Sequence, residues 1–497
     1  MMNGLFKKFL LPMLLAVVFI SGCKEDDETP ILSVSGSDIV VPDGGGTPQI
    51  SISELGGTSE ITISCNEKWR ISNSAAWLEI SQASGESGTH TVELNAEANT
   101  TGSKRTATLT VSSDNGQSRR LVVSQVSQLY PSYNLSPIPP DATGMNSTAV
   151  ELAAKMHLGI NFGNTMEAPT EAEWVNSKIT ESYVKFVKQI GFNSVRLPTG
   201  WVKWHLSDRA KAKIDPAWLN RVKEVVGWCV ANDMYVMLNV HGDWGWLENN
   251  VNATKKDSVN AMQKAIWEQI ATTMRDFDEH LIFAGTNEPV AEDAEHMAIL
   301  DSYHQTFVNA VRSTGGRNSH RVLVVQGPRT NGELTYKLMN TLPTDNVPNK
   351  LMVEIHNYTP ATFTLVTDGD VSWGNMIYYW GAGNDSTIEP ERNAEYGEED
   401  EILDEFQKMK QKFIDKGIPV MLGEYATWRR SPGLGKPEPK DMEMHNKSVD
   451  YWSYYVTKQA KAHGLVPFWW EIGFMLDRAN NVVKDQAMLD AILEGAK

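Results

Sequence analysis

The 497-residue chain has three cysteines, too few for a disulfide-stapled scaffold. Two of them, Cys65 and Cys229, fall in different expected domains, so no disulfide is expected, and two thiols make no zinc site. The histidines show no paired ligand spacing, and no metal or other cofactor is expected. Positive charge is scarce: 45 Lys and Arg stand against 62 Asp and Glu, a formal charge of -17. That argues against nucleic acid and against electrostatic binding to anionic lipid. No fixed-period repeat is present. The segment "GINFGN" (Gly159–Asn164) is not a glycine-rich phosphate loop. The N-terminal apolar run, Phe9 to Ile20, has twelve residues, whereas a membrane-spanning helix needs about 20.

That short run follows Lys7 and Lys8 and suits the h-region of a signal peptide. Ile20-Ser21-Gly22-Cys23 resembles a bacterial lipoprotein cleavage box. The resemblance implies removal of residues 1–22, a lipid on Cys23 and a tether over 23–30. Lys24-Glu25-Asp26-Asp27 resembles the acidic signal that sends such lipoproteins to the outer face of the outer membrane.

Residues 31–127 contain short alternating runs, "EITISC" (Glu60–Cys65), "THTVELNA" (Thr89–Ala96), "TATLTVSS" (Thr106–Ser113) and "RRLVVSQV" (Arg119–Val126). Turn signals separate them, and no helical period appears, which predicts a small all-β, immunoglobulin-like sandwich. The stretch from Trp69 through "WLEIS" (Trp77–Ser81) to Ser124-Gln125 resembles the BACON-type module, whose name implies sugar binding. Trp69 and Trp77 are expected in its core, and the module is expected to act as a spacer. Residues 128–144 follow as a linker whose core, "YPSYNLSPIPPD", carries four prolines and is expected to be extended and semi-rigid.

From 145 to 497 the pattern changes. Strand candidates are Leu158–Phe162, Ser194–Leu197, Tyr235–Asn239, Leu281–Gly285, Val322–Gln326, Leu351–His356, Val420–Gly423 and Val466–Trp470. Helical stretches lie between them, including Glu181–Ile190, Ala217–Asn232, Val259–Phe277, Ala294–Arg312, Leu403–Lys416 and Glu443–His463. Eight alternations predict an α/β fold, a (β/α)8 TIM barrel, over a doubly wound sheet. Chemistry in such a barrel gathers at the C-terminal strand ends. Those ends carry Asn161 and Asn164, Arg196, Asn239 and His241, Asn287 and Glu288, His356 and Tyr358, Glu424 and Tyr425, then Trp470 and Glu471. Glu288 and Glu424 lie three strands apart and are expected to face each other across the mouth. Retaining glycosidases need two carboxyls about 5–5.5 Å apart.

"NEP" (Asn287–Pro289) and "GEY" (Gly423–Tyr425) resemble glycoside hydrolase family 5. Arg196 in "GFNSVRLP", His241 in "VHGD", "HNY" (His356–Tyr358) and "FWW" (Phe468–Trp470) match in the family's order, from about 155 to the C-terminus. The resemblance implies Glu288 as acid/base, Glu424 as nucleophile, Asn287 on the 2-hydroxyl of the sugar, and Trp470 as platform. Arg196 is expected to lower the pKa of Glu424, Tyr358 to donate to it, and Glu424 to raise the pKa of Glu288. His241 and His356 are expected as hydrogen-bonding supports, and Glu354 as a support within the barrel. Glu471 is a candidate for a sugar hydroxyl, and which of Trp469 and Trp470 faces inward stays open. Asp243 and Glu248 read as solvated loop carboxylates.

Trp201, Trp204, Trp244, Trp246, Trp373, Trp380, Tyr378, Tyr379 and Trp428 follow strand ends and suggest a long groove that stacks pyranose rings. Trp246 and Trp380 are counted among the sugar contacts, with Asn164 beside them. "GINFGNTMEA" with "LPTGW" resembles subfamily 4, which implies endo-acting hydrolysis of β-1,4-glucans, xyloglucan ahead of mixed-linkage glucan. A mannanase of the same family and a non-catalytic surface glycan-binding lipoprotein are the alternatives. The expected partner is the polysaccharide, and the expected state is a monomer.

Overall fold

The computed structural model describes residues 29–497 except 43–44, 102, 176, 367–371, 373 and 431–437. The leader, Cys23 and Trp373 therefore lie outside the described residues. The chain divides after Gln128 into two compact units.

The first unit is a sandwich. One sheet orders Leu32–Ser35, Gly56–Cys65, Gly88–Glu97 and Leu78–Ile80; the other orders Gln49–Ile52, Ser118–Gln125, Arg105–Ser113, Trp69–Asn73 and Ser84–Gly85. Alternation puts Ile61, Ile63, Val92 and Leu94 of one sheet into a core with Leu109, Val111, Leu121 and Val123 of the other. Trp69 is buried in that core, whereas Trp77 is only partly buried, with the Arg105 guanidinium 4.4 Å from its ring centre. Cys65 and Cys229 are both buried and free.

The second unit begins with the proline-rich stretch, which is docked rather than free. The Tyr133 and Asn134 N–H groups and the Ser132 hydroxyl donate to one oxygen of Glu268. Ile138–Pro140 pairs with Gly315–Gly316.

Eight parallel strands then close a barrel: β1 Gly159–Phe162, β2 Ser194–Leu197, β3 Tyr235–Asn239, β4 Leu281–Ala284, β5 Leu323–Asn331, β6 Leu351–His356, β7 Val420–Tyr425 and β8 Val466–Glu471. Side chains alternate between two faces. Val195, Leu197, Val236, Leu238, Phe283, Val353, Ile355, Leu422 and Trp469 face the surrounding helices. Met237, Ile282, Ala284, Val324, Met352, Met421 and Phe468 fill the lower lumen. Ala149 and Leu152 of a short helix, Ala149–Lys155, join that lumen cluster and close the end where the strands begin. Its Thr148–Glu151 capping box starts it.

Several helices between strands start on side-chain caps, among them Thr180, Asp215, Asp293 and Asp441. The helix expected at Leu403–Lys416 runs over Glu399–Lys412 instead. Glu399, Asp400 and Glu401 extend it backward, because carboxylates favour the positive end of the helix dipole. No helix among the described residues is long and apolar enough to cross a membrane.

Candidate active site

Above the apolar floor the lumen turns polar. Arg196 on β2 is fully buried and reaches four neighbours. Its Nε lies 2.8 Å from Glu354 and its Nη1 2.7 Å from Glu424. Nη1 also donates to Asn161 at 3.1 Å, and Nη2 to Asn287 at 2.7 Å. Asn161 in turn donates to the Gly423 carbonyl, so it braces Arg196. A buried guanidinium needs this many partners, because an unpaired charge in such a place is costly.

Glu424 reaches the lumen through a bulge. On the β6–β7 ladder Leu422 pairs with Ile355 and Glu424 with His356, so Gly423 and Glu424 share the step of one residue. Strict alternation would turn Glu424 outward with Leu422; the bulge re-aims it. Gly423 has no substitute here, since a Cβ on it would lie 2.0 Å from a Glu354 carboxylate oxygen. The two oxygens of Glu424 meet Arg196 Nη1 and the Tyr358 hydroxyl, the latter at 2.9 Å.

Glu288 lies just beyond β4, and its side chain is 45% exposed. His356 Nδ1 is 2.8 Å from it and 3.6 Å from Glu424. One ligand atom each of Glu288, His356 and Glu424 lie within 4.8 Å of one another. That spacing would also admit a metal ion, but Arg196 and Tyr358 already engage both oxygens of Glu424.

The electrostatics depart from the expectation. Burial raises Glu424 above its ordinary pKa and outweighs the pull of His356 and Arg196. Burial also works to raise Glu288, but the hydrogen bond and charge of His356, with Arg196, bring it below its ordinary value. Both net directions are opposite to those inferred from sequence, although Arg196 does pull Glu424 down as expected. Burial is the physical reason for Glu424, and the His356 charge, which sequence does not reveal, is the reason for Glu288. Burial alone would lower that imidazole, yet Glu424, Glu288 and Glu354 raise it to about 9, so it donates to Glu288 as an imidazolium. Burial, with Arg196 and His356, holds His241 well below its ordinary value, hence neutral. Burial and the charge of Glu424 keep Tyr358 a phenol and thus a donor.

A cleft of about 440 Å³ opens beside this cluster, lined by Asn164, Glu167, Trp174, His241, Trp244, Glu248 and Trp470 among others. Trp470 lies on the lumen face and stacks on His241 at 5.5 Å, with 12° between the rings. Trp469 faces the helices against Tyr425.

Other residues fall elsewhere than expected. Trp380 is buried against Tyr451 and Tyr455, and its indole donates to the Gly397 carbonyl, so it does not face the cleft. Trp201, Tyr378 and Tyr379 are likewise buried. Trp246 is half-buried and donates to Asp243; its neighbour Trp244, 69% exposed, takes the cleft wall. Long loops return over the barrel and need cores of their own, and these aromatics supply them.

Tyr425 bonds to Thr457 on the helix side. Glu471 is buried and accepts three backbone N–H groups, from Gly473, Met475 and Leu476. Asp243 is buried, not solvated, and accepts the N–H groups of Trp201, Val202 and Lys203. Glu248 is tied to the backbone as well. Glu167 and Trp174 on the cleft wall were missed. Glu167 follows Asn164 by three residues and accepts its N–H and that of Thr165, a turn pattern that could have marked it.

A closed (β/α)8 barrel whose mouth holds two such carboxyl groups beside an indole-walled cleft defines a retaining glycosidase. Residues 156–475 match cellulase, glycosyl hydrolase family 5, and residues 67–128 match BACON, a putative N-terminal binding domain. The chain belongs to glycosyl hydrolase family 5. It is 31% identical to the xyloglucan-specific endo-β-1,4-glucanase of Bacteroides ovatus, over 99% of this chain and 97% of that one. It is also 31% identical to endoglucanase A of Paenibacillus barcinonensis, over 70% and 90%. Among solved structures, the Bacteroides ovatus family 5 xyloglucanase with a XXXG heptasaccharide aligns at a TM-score of 0.67 and 31% identity, covering 94% of this chain and all of that one. A xyloglucan-specific β-1,4-glucanase from a ruminal metagenomic library, in complex with XXLG, aligns at 0.63 and 35%, covering 70% and 96%.

Proposed function

We propose that the protein is an endo-acting β-1,4-glucanase that cuts the xyloglucan backbone by double displacement. The observation that carries this reading is the pair Glu288 and Glu424 within 4.8 Å at the barrel mouth. Glu424, ion-paired with Arg196, attacks the anomeric carbon while the glycosidic C–O bond breaks. The leaving oxygen takes the proton shared by Glu288 and His356, delivered through Glu288, the more open of the two carboxyls. Two cations, Arg196 and His356, face three carboxylates, Glu288, Glu354 and Glu424, so the cluster accepts a proton readily. Water then attacks the glycosyl-enzyme, gives its proton to Glu288 and frees Glu424. Asn287 and Trp470 hold the reacting sugar, the indole face packing on its C–H groups.

Full-length similarity to xyloglucan-specific relatives supports xyloglucan over other β-1,4-glucans. Reducing-sugar release from xyloglucan, barley glucan and mannan tests the reading, with the fastest release expected on xyloglucan. Release from mannan alone would reassign the substrate, and no release from any of the three would leave a glycan-binding protein.

The leader and Cys23 support lipid anchoring at the outer surface of the outer membrane. Labelled palmitate should enter the wild-type chain and not Cys23→Ser. The site is complete within one chain, which supports a monomer, and a monomer mass in size-exclusion with light scattering is expected.

A further inference from the structure

Glu288 stands beyond the end of its strand, so the barrel ladder does not hold it. The backbone N–H groups around it each need a partner. Gly285 donates to the Val324 carbonyl and Thr286 to the Gln326 side chain. Pro289 has no N–H. The N–H groups on either side of that proline both go to one residue of another loop. Glu288 donates to the Glu248 carboxylate at 3.0 Å, and Val290 to the Glu248 carbonyl at 2.9 Å. The same carboxylate oxygen accepts the Gly242 N–H at 3.2 Å, and the Asn287 amide also bonds to this carboxyl.

The loop that carries Glu248 is itself tightly determined. Gly242, Asp243, Trp244 and Gly245 all have positive φ, between 47° and 69°, an arrangement non-glycine residues adopt only when their surroundings impose it. Asp243 imposes it on one side through Trp201, Val202 and Lys203. Glu248 imposes it on the other, through Gly242 and Glu288.

We propose that Glu248 is a positioning residue for proton transfer: its carboxylate clamps the Asn287–Glu288 backbone to the loop after β3 and so sets the height of the Glu288 carboxyl at the cleft. Glu288 has one side-chain restraint, the His356 bond, so its backbone must supply the rest. The inference rests on the role proposed above for Glu288. A shift of about 1 Å at such a group can lower a rate 100-fold.

Aryl β-cellobiosides with poor and good leaving groups test it on the full chain, with thermal unfolding measured in parallel. Only a poor leaving group needs the proton. Glu248→Ala should lose about 10- to 100-fold in kcat/KM on the poor leaving group and much less in kcat/KM on the dinitrophenyl substrate, since kcat/KM reports the first step, before Glu288 serves as base. Glu248→Gln keeps an acceptor oxygen for the Glu288 N–H and should recover most of that loss. Equal losses on both substrates, tracking the fall in unfolding temperature, would show a purely structural role. A raised KM at unchanged kcat would show direct sugar contact instead, and either result overturns the proposal. The comparison depends on leaving group and not on the polymer, so failure on xyloglucan would strike the substrate assignment and leave the Glu248 result readable. Failure of Glu288→Ala to discriminate the two leaving groups would strike the acid/base role itself.

Discussion

The lower and upper halves of the barrel lumen are built by the same strands and carry opposite chemistry. Below, Met237, Ile282, Met352, Met421 and Phe468 pack into one apolar cluster. Above, Arg196, Glu354, His356, Glu424 and Asn287 form one connected polar network. Glu354 lies two positions after Met352 and His356 two after that, so a single strand passes from oil to ion pairs within a few residues. The apolar half makes the fold stable. The polar half is tolerated because every charge there has a partner, and a site so balanced responds strongly to the loss of one group.

That contrast can be broken at either end. Glu424→Ala should abolish turnover on every substrate while circular dichroism and unfolding stay close to wild type; an unfolded variant would show that the upper network also holds the fold. Glu288→Ala should lose roughly 10²–10⁴-fold on polysaccharide and, in the first step, less on a dinitrophenyl glycoside; an equal first-step loss on both would remove it as proton donor. Met421→Ala, at the apolar end, should lower stability by about 2–5 kcal/mol and leave kcat nearly unchanged. A fall in kcat without a fall in stability would erase the division between the halves.

The His356 charge gives a pH signature. Its pKa rises from about 6.5 to about 9 in the folded state. A raised cationic group stabilises fully below the unfolded value and loses that contribution as pH climbs through the folded one. Unfolding free energy should therefore decline between about pH 6.5 and 9, and His356→Gln should flatten the decline. The smallest effect is expected from the sandwich: deleting 31–127 should leave rates on soluble glucan almost unchanged, and a large drop would make the module part of substrate capture.

Much of this was legible in sequence where a local rule applies. Tyr235–Asn239 and Leu351–His356 were bounded correctly because their apolar runs end on polar residues, and Ser194–Leu197 because Pro198 stops it. Alternation sends Trp469 and Trp470 opposite ways but leaves open which faces inward; the structure puts Trp470 on the lumen face and Trp469 against the helices. Loop residues were harder. Trp380 and Trp246 turned away from the cleft because loops fold back and bury their own aromatics. Glu248 and Asp243 read as solvated because the partners that bury them, Glu288 for one and Trp201, Val202 and Lys203 for the other, lie 40 or more residues away.

Sequence by itself determined the barrel, the sandwich and the identity of the two facing glutamates, since periodicity and strand ends are properties of neighbouring residues. Tertiary structure alone decided the bulge that aims Glu424, the proton that His356 holds against Glu288, and the grip of Glu248 on the acid's backbone. Each depends on groups tens to hundreds of residues apart being brought within 4 Å, where burial and charge act together, and no local pattern encodes that distance.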